Sequence, residues 1–207
     1  MSVLADSYGD LLRLDCPVIT TSEAAARMQT PPRNAAKRLR GLEKAGLVLS
    51  LRRGLWSLDT KIVRFALAPF LTSPYPAYVS FWSALYRHGM IEQIPRQVSV
   101  ASLARTRRIE TSIGRFEVHH LRPEIFGGFE GSSESGFVAS AEKALFDTIY
   151  IRAAAGSKAY FPELEIPARF RHDEIYDWTI KIDSSRLRTI VSRRLNEVLR
   201  SATDSGA

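Results

Sequence analysis

The sequence predicts an α+β chain: an N-terminal winged helix-turn-helix followed by a mixed α/β C-terminal domain. Three observations predict it. Three short helical stretches, each bounded by cap or stop residues, precede two short apolar runs joined by a basic turn. Positive charge gathers on the third of these helices and on that turn. Farther along, alternating segments surround a helix that is apolar on nearly every side. The expected divisions are 1–60 for the winged module, 61–78 for a connecting segment, 79–200 for the C-terminal domain and 201–207 for a loose tail.

The first helix, Ser2 to Leu14, places Val3, Leu4, Tyr8, Leu11 and Leu12 at helical spacing, and Pro17 closes it. Thr20-Thr21-Ser22-Glu23 fits a capping box, in which the Thr20 hydroxyl accepts from a first-turn amide and Glu23 reaches back. The Ala-rich helix that follows ends near Met28. Thr30 offers an N-cap and Pro31 a first helical residue for a third helix, which runs to about Ala45 before Gly46 stops it. Leu47 to Leu51 and Leu55 to Leu58 read as strands joined by a hairpin turn at Arg52-Arg53-Gly54.

The chain carries 29 Lys and Arg against 22 Asp and Glu, a formal net charge of +7. At 45% hydrophobic and 25% charged, the composition excludes wholesale disorder. No apolar run approaches the roughly 18 residues of a bilayer span. The start, Met1-Ser2-Val3-Leu4-Ala5-Asp6, lacks the basic and apolar regions of a signal peptide. A single cysteine, Cys16, excludes an internal disulfide or a Cys-rich zinc site. The expectation is a cytoplasmic protein with no membrane partner.

Position gives the charge its meaning. Residues 132–207 carry 11 basic and 11 acidic side chains, whereas Pro31 to Gly54 holds seven basic residues and one acid, Glu43. At about 100° per residue, Ala35, Leu39 and Leu42 form a narrow core stripe on the third helix. Opposite it, Arg33, Lys37, Arg40 and Lys44 share one sector of about 60°. Like charges at such spacings destabilise an isolated helix by roughly 0.2–0.5 kcal/mol per pair, so a merely solvated face would normally intersperse acids. The pattern is that of a recognition helix in a major groove, with Arg33, Asn34 and Lys37 near its base-facing half. Arginine suits guanine and asparagine suits adenine. Arg40 and Lys44, with Arg52 and Arg53 at the wing tip, are the expected phosphate contacts, and Arg38 completes the DNA-binding set.

Beyond the first module, Pro69 to Pro76 reads as a boundary whose aromatics pack. Ser80 is the expected cap of a helix running through His88 to Gly89. Val98 to Ser102 reads as a strand, and Arg108–Ile113 with Arg115–Leu121 as a hairpin about Gly114. Ser140 caps a central helix to about Ala153, with Glu142 complementing its dipole. A last helix, Ser184 to Arg200, has Arg194 inside its apolar stripe, with snorkelling the default reading. The role of the basic Arg105, Arg107 and Arg108 is left open.

Little here points to catalysis. His119 and His120 project to opposite strand faces, and His172 stands in a charged stretch. Glu163 and Glu165 after Gly156-Ser157 only superficially resemble a nucleotidyltransferase metal site, and no third carboxylate is evident. No catalytic, cofactor or metal-ligating residues are expected.

Three blocks do resemble a known family. Ser83-Ala84-Leu85-Tyr86-Arg87-His88-Gly89-Met90-Ile91-Glu92-Gln93-Ile94-Pro95 is similar to its S-A-L-x-x-H-G-L-x-x-Q-x-P block. Phe126-Gly127-Gly128-Phe129-Glu130 and Val138-Ala139-Ser140-Ala141-Glu142-Lys143-Ala144-Leu145-Phe146-Asp147 resemble two more, the latter A-T-P-E-K-A-L-x-D with Ser140-Ala141 replacing Thr-Pro. The family is that of AbiEi-type antitoxins, and the resemblance runs from about Val18 to Leu199. It implies a C-terminal antitoxin domain and a winged helix that binds inverted repeats of double-stranded DNA in its own promoter. The implied counterpart is a nucleotidyltransferase-like toxin, opposed without a stable complex in a type IV arrangement, and inverted repeats imply two copies on DNA. Two other readings stay open: a regulator unconnected to a toxin, whose C-terminal domain senses a ligand or protein, and an enzyme with a DNA-targeting module.

Overall fold

A computed structural model describes residues 3–161 and 163–205, an α+β chain with two sheets. Helix α1 (Val3–Leu12) buries Leu11, while Leu12 is exposed, about 100° farther round the helix. Strand β1 (Val18–Thr20) leads into α2 (Thr21–Arg27) through the expected capping box. Thr20 Oγ1 accepts from Glu23 N at 3.2 Å, and Thr20 N donates to Glu23 Oε2 at 2.6 Å. Thr20→Ala is expected to lower stability by about 1 kcal/mol in urea denaturation, and an unchanged midpoint would show that the cap contributes nothing.

Helix α3 (Pro32–Lys44) starts one residue later than expected, with Pro31 rather than Thr30 at the cap position. Both prolines suit a helix start, and the second takes the first helical position. Ala35, Leu39 and Leu42 are fully buried, in a cluster with Leu11, Ala24, Val48 and Trp56. A Cβ on Gly41 would meet Leu4 Cδ2 at 3.0 Å, so α1 crosses α3 where a helix-interior glycine, costing about 1 kcal/mol against alanine, permits close approach. Strands β2 (Leu49–Arg52) and β3 (Leu55–Ser57) form the hairpin, and β1 adds to the other edge of β3.

Residues 61–78 do not simply span between modules: Ala66 to Ala68, Leu71, Thr72, Ala77 and Tyr78 are buried, whereas residues 73–76 are exposed and Tyr75, expected to pack, faces solvent. A 3-10 turn (Arg64–Leu67) and α4 (Ala68–Thr72) bury Leu67, Ala68 and Leu71, and β4 (Ala77–Val79) is central to the second sheet. Pro69 does not break this segment because it lies in the first turn of α4. The second sheet adds β5 (Val98–Ser102), β6 (Arg107–Thr111), β7 (Gly114–His120), β8 (Phe129–Ser132) and β9 (Gly136–Ala139), in the order β6-β7-β5-β4-β9-β8.

Side chains alternate across this sheet. Tyr78, Ala101 and Ala139 pack beneath α5 (Phe81–Arg87), α6 (Ala141–Ala154), α7 (His172–Ile180) and α8 (Ser185–Ser205). Val79, Val98, Val100, Phe116 and Val118 join Leu67 and Leu71 on the opposite side, where Val18 and Leu51 enter the same cluster. The small sheet is therefore docked on the large one through shared apolar packing. Helix α8 continues to Ser205, so residues 201–205 are helical rather than a loose tail, as propagation of an established helix costs little. Residues 206–207 lie outside the described residues.

Candidate nucleic-acid interface

The outward face of α3 carries Arg33, Asn34, Lys37, Arg40 and Lys44, all exposed. Its apolar stripe turns them out: with Ala35, Leu39 and Leu42 held in the core, these side chains have only solvent to face. Arg38 is not among them. It is half-buried, about 60° from Ala35 on the core side, and its guanidinium donates to Ser7 Oγ at 3.5 Å. Arg38 thus ties α3 to α1, and its charge is not presented with the others.

Arg52 and Arg53 are exposed at the β2–β3 turn, which Gly54 closes at φ +81. The turn is anchored from behind. Gly54 O accepts from Thr21 N at 2.9 Å, and Trp56 Nε1 donates to Thr21 Oγ1 at 2.9 Å. None of the seven basic residues between Pro31 and Gly54 has an ion-pair partner among the described residues. Unpaired, solvated guanidinium and ammonium groups on one helix face and one anchored turn are suited to phosphate oxygens and base edges.

The three blocks that carry the family resemblance meet elsewhere, in one buried cluster. Lys143 and Asp147, one turn apart on α6, have no exposed surface and form an ion pair. Asp147 Oδ2 also accepts from Tyr78 OH at 3.0 Å and from Ser80 Oγ at 2.7 Å. Three donors converge on this carboxylate and favour its charged form against the burial that pushes Asp147 up and Lys143 down. Burial, then the charge of Asp147, raises the Tyr78 hydroxyl and keeps it a donor. Lys143 Nζ lies over the rings of Trp178 at 4.5 Å, Phe146 at 5.0 Å and Tyr78 at 5.8 Å. Ser80 precedes α5 as expected, but its hydroxyl serves Asp147 instead of capping the helix.

The neighbouring blocks close this cluster. Phe126 and Phe129 pack on Tyr78 with ring centres at 5.0 and 4.6 Å. Gly128, at φ +70, does more than form a turn, because a Cβ there would come within 2.7 Å of Trp178 Cζ2. His88 Nε2 is hydrogen-bonded to Ala139 O at 2.7 Å, and Glu142 Oε1 accepts from Arg171 N at 2.7 Å. Ser140 caps α6 by accepting from Lys143 N at 3.1 Å. At its centre Lys143, Asp147, Tyr78 and Ser80 are sealed from solvent.

Other singled-out residues are dispersed. Glu163 and Glu165 are exposed on an irregular segment, and Glu165 N donates to Met90 O at 2.9 Å. Among the described residues no group of three or more side chains is arranged to hold a metal ion. Arg194 does not snorkel and among the described residues pairs with no acid; it donates to Ser157 O, and its Nε is buried without a hydrogen-bond partner among them. The carbonyl of Ser157, presented just after the end of α6, draws the guanidinium inward. Arg107, whose role was open, donates to Leu71 O at 2.8 Å.

For His119 the sequence indicates a strand face but not its partners. His119 faces Phe81, with ring centres at 4.7 Å, and its Nε2 lies 3.7 Å from Glu117. The alternation in Arg115-Phe116-Glu117-Val118-His119 is the available signal, but it tells which residues share a face and not what covers them. No helix among the described residues is long and apolar enough to cross a membrane. No protein-family model matches the chain, and no curated protein matches it in sequence.

Proposed function

We propose that the chain is a sequence-specific DNA-binding autorepressor and the antitoxin of a type IV toxin–antitoxin system, cytoplasmic and without enzymatic activity. In this reading residues 1–60 are a winged helix-turn-helix, α3 is its recognition helix and the β2–β3 hairpin its wing. The observation that carries it is the unpaired cationic face of α3 opposite a fully buried stripe, in a chain whose last third is charge-neutral. Arg33, Asn34 and Lys37 read base edges, and Arg40, Lys44, Arg52 and Arg53 hold phosphates. Arg38 supports α3 from behind. The antitoxin role rests on the three sequence blocks, and its counterpart is a nucleotidyltransferase-like toxin opposed without a stable complex.

The DNA-binding part is tested by anisotropy titrations at several salt concentrations, on the duplex upstream of the chain's own reading frame. Arg52→Ala and Arg53→Ala are each expected to weaken binding evenly across sequences and to reduce the salt slope by about one. Binding that is independent of salt in the parent rejects this reading. A nucleotidyltransferase reading frame directly downstream separates an antitoxin from a regulator unconnected to a toxin.

A further inference from the structure

One side of the large sheet is polar where a helix covers it. On β7, Phe116 and Val118 enter the apolar cluster shared with the small sheet, while Glu117 and His119 face the other way. There they line a cavity of about 750 Å³ between the sheet, the start of α5, the C-terminal half of α6 and the 93–97 loop. Small-molecule sites are clefts of about 300–1,000 Å³.

The cavity is chemically one-sided. Four guanidinium groups, those of Arg96, Arg108, Arg115 and Arg152, line it with a single carboxylate, Glu117. Glu117 accepts from Gln97 Nε2 and, at 3.3 Å, from Arg108 Nε, while Arg115 is held by Glu110 at 3.2 Å. Arg96 and Arg152 are exposed and have no ion-pair partner among the described residues. Burial holds the His119 imidazole below its ordinary range; Glu117 opposes that, and Arg152 and Arg108 add to it. His119 is therefore neutral at pH 7 and offers a hydrogen bond rather than a charge.

Phe81 is buried against His119, and the aromatic surface beside the cavity is that of Trp82, whose ring is also stacked on Phe161 with centres at 5.8 Å. Phe81 has φ +54, a left-handed conformation that costs a bulky L-residue about 1–3 kcal/mol. Strain of this kind concentrates at ligand sites, where the surrounding structure over-determines the backbone.

We infer that this cavity binds a nucleoside phosphate, with its base against Trp82 and its phosphates on Arg96 and Arg152. Inorganic phosphate would leave the aromatic wall and most of the volume unused. A purely apolar ligand would leave two unpaired guanidinium groups facing it. The base's amino and ring nitrogen groups meet Glu117 and His119 on the floor.

The hairpin that carries part of the site also touches the small sheet. Arg108, Arg115, Glu117 and His119 lie on the β6–β7 hairpin, whose turn residue Ser112 donates from N to Leu51 O at 2.8 Å and from Oγ to Ser50 O at 2.7 Å. Occupancy is thus expected to change DNA affinity, a consequence that rests on the DNA-binding reading above.

The test is calorimetric titration of the purified full chain with ATP, GTP, CTP and UTP separately, and with inorganic triphosphate as a charge control. At least one nucleotide is expected to bind more tightly than triphosphate, and Arg96→Ala and Arg152→Ala each to weaken it about tenfold. Both arginines are exposed, so neither variant threatens folding. Three results overturn the site: no nucleotide binds at millimolar concentration, triphosphate binds as tightly, or both variants bind as the parent does. Loss of DNA binding in these variants without nucleotide binding in the parent also overturns it, and assigns the arginines to the DNA footprint. Because the titration contains no DNA, a chain that binds nucleotide but no duplex keeps this site and loses the DNA-binding reading. Nucleotide binding that leaves duplex affinity unchanged removes the coupling through Ser112.

Discussion

Asp147→Ala is expected to lower the free energy of unfolding by about 3–5 kcal/mol, enough to abolish folding in a marginally stable chain. The substitution leaves the Lys143 ammonium buried with no counter-charge. It also orphans the hydroxyls of Tyr78 and Ser80, which both donate to Asp147 Oδ2. Aromatic rings around Lys143 Nζ soften this cost but cannot replace a carboxylate. Removing both charges in Lys143→Met with Asp147→Leu is expected to recover the part of the loss due to the unpaired ammonium, while the Tyr78 and Ser80 hydroxyls stay without their acceptor. Urea denaturation of parent, single and double variants measures this. A single variant within about 1 kcal/mol of the parent would contradict the structural role given to the cluster.

The second large effect concerns DNA. Arg33→Ala and Lys37→Ala are each expected to cost about 1–3 kcal/mol of operator affinity while leaving the unfolding transition unchanged, since both side chains are exposed. Arg38→Ala is the internal contrast. Its guanidinium is bonded to Ser7, so its effect belongs in stability more than in sequence preference. Anisotropy on matched and scrambled duplexes, beside a denaturation curve for each variant, separates the two outcomes. If Arg38→Ala relaxes sequence preference as strongly as Arg33→Ala, the division of α3 into a supporting and a reading face is wrong.

Features that depend on neighbours in sequence are legible in the sequence itself. The Thr20–Glu23 box, the Gly46 stop, the Ala35-Leu39-Leu42 stripe and the β6–β7 hairpin, whose turn lies at Ser112-Ile113 just before Gly114, are settled within a turn or two of chain, where capping and periodicity act. What was not legible depends on distant partners. Val18–Thr20 and Ala77–Val79 are strands of three residues, too short to show alternation, and each exists because another strand pairs with it. Ser80 has the residue type and position of a cap, but Asp147, far along the chain, claims its hydroxyl. Arg38 carries the same charge as its neighbours and only its helical angle sets it apart, so counting basic residues overstated the exposed set. Gly127 and Gly128 read as a turn, whereas the demand on Gly128 comes from Trp178 on a helix that the sequence did not reveal.

The central claim is that the outward face of α3 reads DNA near the chain's own gene. Footprinting of the upstream duplex measures it most directly. The account predicts protection of inverted half-sites separated by about one helical turn, or a multiple of it, lost in the Arg33→Ala, Lys37→Ala double variant and retained in Arg96→Ala. An upstream duplex left unprotected by folded parent protein at low salt, or protected equally by the double variant, would contradict it.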